Sequence, residues 1–206
     1  MSHFTLSQAQ AWIVSSASVI EQNAAHLSEL DSAIGDGDHG ANMARGMTAV
    51  VKKLETVQPA DMAALFKTVG MTLLSSVGGA SGPLYGGFFL ELAKQSAGKA
   101  EFDAAALSAL INAGLGDIRR RGKAEPGDKT MVDALIPAVQ ALGSDADLAV
   151  AAAKAATAAR AAATATAPLL ARKGRASYLG ERSIGHEDPG ANSVALIMGA
   201  LAEVCA

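Results

Sequence analysis

Asp31-Ser-Ala-Ile-Gly-Asp36-Gly-Asp38-His39-Gly40 decides between two folds. Its glycines at 35, 37 and 40 spell G-x-G-x-x-G, and a dinucleotide fingerprint would make the chain a parallel α/β sheet. That fingerprint must follow a strand inside a βαβ unit. Here the preceding residues repeat their apolar positions with a helical period, and bare aspartates between the glycines would repel a pyrophosphate. Asp36-x-Asp38 also opens like a calcium-binding loop. Gly40 and Ala41 then stand at its fifth and sixth positions and Met47 at its twelfth, so the ligands and the turn glycine are missing. What is left is an acidic turn between helices.

Three carboxylates within eight residues, Asp31, Asp36 and Asp38, repel one another unless a cation neutralises them. Hard divalent cations take oxygen ligands of this kind, and Mg²⁺ is often held by a few carboxylates together with phosphate oxygens. The helix that starts after the turn offers free N–H groups, which favour anions. The leading reading is a metal-bridged phosphate site, set against the plain alternative of a solvated acidic turn.

Composition narrows the rest. The 206 residues suit one domain with a real core, 1–206. Half are hydrophobic and only 4% aromatic, so the core must be built from small aliphatic side chains that suit closely packed helices. A formal net charge of −3 lacks the basic footprint of a nucleic-acid binder. Cys205, the single cysteine, rules out an internal disulfide and a cysteine-based metal site. No signal-peptide pattern and no apolar run of membrane-spanning length is found, so a soluble, cytoplasmic protein with no membrane partner is expected.

Helical periodicity runs through the whole chain, with no convincing alternating strand. Eight helices are expected, over residues 6–27, 40–55, 59–77, 82–97, 103–121, 128–142, 145–167 and 190–205. Pro59 and Pro83 suit first turns, and Pro137 should kink the sixth helix. Alanine-rich 145–167 reads as helix with Lys154 and Arg160 on a solvated face. Glycine-rich loops precede the second, fourth, sixth and eighth helices; the other connections are plainer. Short links make sequential helices antiparallel neighbours. An all-α, up-and-down antiparallel eight-helix barrel or bundle would therefore bring all four glycine-rich loops to one end, with four positive dipole ends around the acidic cluster.

Each loop also has its own chemistry. Residues 78–83 supply approachable backbone N–H groups and the Ser81 hydroxyl, or simply a tight turn. Residues 122–130 imitate a P-loop, but one residue too many separates glycine from lysine and no strand leads in; Lys129 remains as a point charge and Asp128 or Thr130 as a cap. Residues 172–190 form the longest irregular segment, with Arg172, Lys173, Arg175 and Arg182 available for phosphate or an acidic partner. His39 stands at the mouth of the acidic loop, where a ribose or phosphate contact competes with acid–base work. Glu55, Asp61 and Glu91 read as solvated helix charges.

Four segments together, LDSAIGDGDHGANM (30–43), TLLSSVGGASGPLYG (72–86), RGKAEPGDKTMVDAL (121–135) and ARKGRASYLGERSIGHEDPGA (171–191), resemble the L subunit of bacterial dihydroxyacetone kinases over essentially the whole chain. The resemblance is weakest over 145–167. It implies an eight-helix barrel in which Asp31, Asp36 and Asp38 hold two Mg²⁺ ions against the phosphates of ADP or ATP. By the same resemblance His39, Gly40, Ala41 and Asn42 contact the nucleotide at the second helix, and Ala80 and Ser81 at the fourth. Gly122 and Met131 would help wall the adenine, while Arg175 and Asp188-Pro189-Gly190 would close the site. Met131 is also a typical core residue, and Asp188 would serve as a helix cap.

The resemblance further implies partners. The triose is bound on a K-type subunit, and ADP is rephosphorylated in place by a phosphoenolpyruvate-dependent phosphotransferase M-type subunit. A chain with only the L-like part favours that multiprotein form over the fused ATP-dependent one. Phosphoryl transfer needs positioning and charge neutralisation more than a protein nucleophile, so no catalytic base is assigned. Three other readings stay open: an L component of an ATP-dependent kinase for another keto-sugar, a nucleotide-loaded module that signals to a transcriptional regulator, and, weakest, a metal-dependent phosphatase.

Overall fold

The computed structural model describes residues 3–206. Helix α1 (Leu6–Gln22) opens on a capping box in which Thr5 and Gln8 satisfy each other's free backbone donors. The expected first helix over 6–27 divides at Asn23. Its side-chain amide donates to Val19 O at 2.7 Å and competes with the backbone ladder, while its own backbone leaves the helical well (φ −104°, ψ 9°). Helix α2 (Ala24–Ile34) resumes and runs to the acidic turn.

The remaining starts are set by caps. After α3 (His39–Thr56), helix α4 (Met62–Ser76) begins at Asp61, whose carboxylate accepts from Ala64 N, so the start lies past Pro59 and Asp61 is a cap rather than a free surface charge. Helix α5 (Ser81–Gln95) follows, then α6 (Ala104–Gly122) capped by Asp103. Helix α7 (Met131–Leu142) starts three residues later than expected, at the Thr130–Asp133 capping box, and Pro137 stands inside it without ending it. Helix α8 (Leu148–Ala165) is capped by Asp147 and α9 (Pro189–Cys205) by Asp188. A 3₁₀ segment, Arg175–Ser183, gives the long 172–190 loop some order of its own. One departure from the all-helix expectation is a two-residue antiparallel pair, β1 (Phe4–Thr5) on β2 (Glu101–Phe102), which ties the N-terminal segment to the start of α6.

Eight helices close a ring in the order α1, α3, α4, α5, α6, α7, α8, α9 and back to α1, each packed on the next. Helix α2 packs on α3. The core within is the one that composition predicts, with Trp12, Phe66 and Phe89 clustered and aliphatic side chains around them. Closeness comes from small residues. Ala151, Ala152, Ala155, Ala159 and Ala163 bury one stripe of α8, and a Cβ on Gly70 would lie 2.8 Å from Gly86 O, so α4 and α5 touch backbone to backbone. The starts of α3, α5, α7 and α9 all line one cavity, as alternating up-and-down order requires.

Candidate functional site

The cavity at that end has a volume of about 270 Å³. One carboxylate oxygen each from Asp31, Asp36 and Asp38 lies within 4.8 Å of the others. Asp31 is in the last turn of α2, and its Oδ2 accepts from the N–H groups of Asp38 (2.8 Å) and His39 (3.1 Å), folding the turn back on itself. Gly37, at φ +77°, makes that reversal possible. Gly40 brings α3 onto α2: a Cβ there would lie 1.9 Å from Ala24 O. Ala41 N–H donates to Ser28 Oγ on the same side.

Among the residues expected to form the site, His39, Asn42, Ala80, Ser81, Gly122, Met131, Arg175, Asp188, Pro189 and Gly190 line the cavity with the three aspartates. Gly40 and Ala41 do not; the contacts just described are with α2. Sequence reading also passed over apolar lining residues, among them Leu84, Ile118 and Ala124, and the polar Tyr85. Tyr85 follows Ser81 by one helical turn, so periodicity alone places it on the same face. The lining thus combines a carboxylate cluster with apolar walls, the composition of a site for a ligand with a charged part and a flat apolar part.

His39 is buried, and burial lowers its pKa, with Asp31 and Asp38 opposing, so the ring is neutral near pH 7. It does not present a free nitrogen to the loop mouth. Nδ1 lies 3.2 Å from Ser81 Oγ and Nε2 3.0 Å from Ser193 Oγ. Asp188 caps α9 through Ala191 N (2.7 Å) and is buried; burial pushes its carboxyl up to about 7, against the pull of the Ala191 N–H, with Asp133 reinforcing the rise and Lys129 opposing it.

Lys129 is not the point charge for a phosphate that its loop suggested. Its side chain is buried, its backbone is left-handed (φ +63°), and Nζ donates to Thr166 O (2.9 Å), Ala167 O (3.1 Å) and Leu169 O (3.1 Å). An ammonium among the carbonyls just past α8 supplies a donor where the helix no longer does. The same loop pairs with the 167–188 strap through Arg172 N to Asp128 O, and the strap carries Arg175 to Asp36 across the cavity.

Asp31, Asp36 and Asp38 supply oxygen only, which suits a hard divalent cation and not a thiophilic one. Arg175 pairs with Asp36 alone, so the cluster keeps carboxylate oxygens to offer a cation. The residues fit.

A family model described as "DAK2 domain" matches residues 33–203. The chain is 48% identical over 192 residues to the "PEP-dependent dihydroxyacetone kinase 1, ADP-binding subunit DhaL" of Listeria innocua, covering 92% of each. It is 50% identical over 187 residues to the "PTS-dependent dihydroxyacetone kinase, ADP-binding subunit DhaL" of Lactococcus lactis, covering 91% of each. Its structure is similar to that of the dihydroxyacetone kinase from C. freundii in complex with AMP-PNP and Mg²⁺, with a TM-score of 0.74 and 30% identity. That likeness covers 94% of this chain and 33% of the other, so the chain spans about a third of that kinase.

Proposed function

The chain belongs to the DAK2 domain family, and on that footing we propose that it is the ADP-binding subunit of a phosphoenolpyruvate-dependent dihydroxyacetone kinase. One observation carries the reading most directly: four helix N-termini and three clustered carboxylates meet at a single cavity. Helix starts attract phosphate, and the carboxylates attract the cations that accompany it.

In this reading the protein is a single domain that works in the cytoplasm. Asp31, Asp36 and Asp38 hold two Mg²⁺ ions, which when bound neutralise phosphate oxygens. Asn42, Ala80 and Ser81 orient the phosphates, with the start of α3, from His39 to Ala41, contributing its positive dipole end. Gly122 and Met131, joined by Leu84 and Ile118, wall the base. Arg175 and the Asp188-Pro189-Gly190 turn close the site. No side chain of this chain is assigned as general base, because positioning and charge compensation dominate phosphoryl transfer. A K-type subunit presents dihydroxyacetone, and an M-type phosphotransferase subunit restores the phosphoryl group.

Native mass spectrometry of the purified protein tests the binding half; ADP and magnesium should be carried together. Turnover of phosphoenolpyruvate and dihydroxyacetone with K-type and M-type subunits added tests the rest. A protein that binds neither nucleotide nor metal, and supports no turnover with both partners present, would refute the assignment.

A further inference from the structure

Four side chains form an unbroken polar line from the cavity wall into the barrel. Ser81 Oγ is 3.2 Å from His39 Nδ1, His39 Nε2 is 3.0 Å from Ser193 Oγ, and Ser193 Oγ is 2.7 Å from the Tyr85 hydroxyl. His39, Ser193 and Tyr85 are all buried, so their protons must be placed among these partners. Tyr85 has no partner but Ser193 among the described residues, and burial holds its phenol well above the usual range; it therefore donates. Ser193 then has one proton and two acceptors in reach, Gly190 O at 2.9 Å and His39 Nε2.

That choice propagates. If Ser193 donates to Gly190 O, the neutral imidazole carries its hydrogen on Nε2, and its bare Nδ1 takes the Ser81 proton. If Ser193 donates to Nε2, the hydrogen is on Nδ1, which donates to Ser81 Oγ, and the Ser81 proton is released toward the cavity. Both arrangements leave the ring neutral and the proton count unchanged. The first satisfies every donor within the protein. The second needs an acceptor beside Ser81, and an anion there makes the stronger, charge-assisted bond.

We propose that His39 is a positioning residue whose tautomer is switched by ligand binding, from Nε2–H in the free protein to Nδ1–H when an anionic ligand accepts from Ser81. The identity of that ligand, a Mg²⁺-bound adenine nucleotide, rests on the proposed function above; the two-state line does not. Occupancy of the cavity is thereby written into the α9 hydrogen-bond pattern, since Gly190 O loses the Ser193 proton as the site fills.

Long-range ¹H–¹⁵N correlation of ¹⁵N-labelled protein distinguishes a bare from a protonated ring nitrogen, and loss of the signal in His39→Gln assigns it. The expected result is Nε2–H in EDTA and Nδ1–H with Mg²⁺ and ADP, with binding followed by calorimetry on the same sample. In Ser81→Ala, Nε2–H should persist with ADP bound, and affinity should fall roughly five- to tenfold. Bound ADP without a tautomer change overturns the switch and leaves the nucleotide site standing. A change that survives Ser81→Ala overturns it as well; absence of ADP binding in the calorimetry refutes the nucleotide assignment, and the same spectra recorded with Mg²⁺ and inorganic phosphate then decide the switch, a persistent Nε2–H overturning it.

Discussion

Arg175 Nη2 lies 3.1 Å from Asp36 Oδ2, so the arginine on the strap already leans on one of the three clustered carboxylates. In the proposed function a guanidinium there would compete with a divalent cation for Asp36 and pass to a phosphate once the cation is bound. Arg175→Met should accordingly split the two affinities. Both side chains are more than a third exposed, so the ion pair itself is weak and Mg²⁺ alone should bind only about two- to fivefold tighter. ADP with Mg²⁺ should bind roughly tenfold more weakly, because a charge-assisted contact is lost. Titration calorimetry with metal alone and then with nucleotide measures both. Parallel changes in the two would mean that Arg175 serves only one of the partners.

Asp36→Asn and Asp38→Asn each remove one charge from the cluster and leave its backbone bonds in place, since Asp31 is the residue that organises the turn. Each should weaken Mg²⁺-dependent ADP binding by about tenfold or more, while the helical circular dichroism stays unchanged. In the parent protein Mg²⁺ and ADP together should raise the melting temperature and EDTA should abolish the rise, because a ligand at 100 times its Kd adds about 2.7 kcal/mol to the folded state. Thermal melts with and without EDTA decide this; a melting point indifferent to EDTA is the contrary result.

The ring of helices was legible because a 3.6-residue period survives substitution by any small aliphatic residue, and the loops announced themselves through glycine. Helix ends were less legible. Asn23, Asp61 and Thr130 act through local side-chain hydrogen bonds, and a sequence pattern cannot show which of several polar residues makes them. Lys129 was misread for a related reason: a lysine in a glycine-rich loop has the reach to find either a phosphate or a helix end, and only the arrangement of α7 against α8 selects the latter. His39 was legible as important and not as neutral, since Ser193 comes from a helix 154 residues away.

Asp188 gives a pH dependence with a defined sign. Its carboxyl is pushed up to about 7 in the folded protein, from an ordinary value of 3.8. Between those values the unfolded chain has lost this proton and the folded one keeps it, so the contribution to stability falls as pH rises and is spent above 7. The metal-free protein should therefore lose stability between pH 4 and 7 through this group, on the order of 4 kcal/mol if it acts alone. Asp188→Asn retains an acceptor for Ala191 N and should flatten the profile. Urea melts in EDTA at several pH values test it; equal slopes in parent and variant would show that Asp188 titrates normally.

Gly40→Ala probes how α2 holds the acidic turn. The new methyl would meet Ala24 O at 1.9 Å and Ser28 Oγ at 2.8 Å, and the first of these is backbone. Helix α2 has to move away from α3, at a cost of about 1–3 kcal/mol. Because Asp31 belongs to α2, the same movement should spread the carboxylates and weaken metal binding, although residue 40 does not line the cavity. Melting temperature and Mg²⁺ affinity should fall together.

Lys129→Met separates the two roles open to that lysine. The ammonium donates to three carbonyls just past α8, and desolvation lowers its pKa against the pull of Asp188, so the protein holds a cation there at an energetic cost that those carbonyls help to offset. Methionine fills a similar volume but leaves Thr166, Ala167 and Leu169 O without that donor. The left-handed backbone is no easier for methionine than for lysine, so the side-chain contacts carry the difference. Unfolding free energy should drop by about 2–4 kcal/mol. The strap from 167 to 188 loses its anchor on the 122–130 loop, and its amides should exchange with solvent faster than the ring helices do. Nucleotide affinity, measured well below the melting point, should fall only modestly, because no phosphate contact is removed. A collapse of ADP binding with stability intact would instead place the ammonium on the phosphates, as in a P-loop.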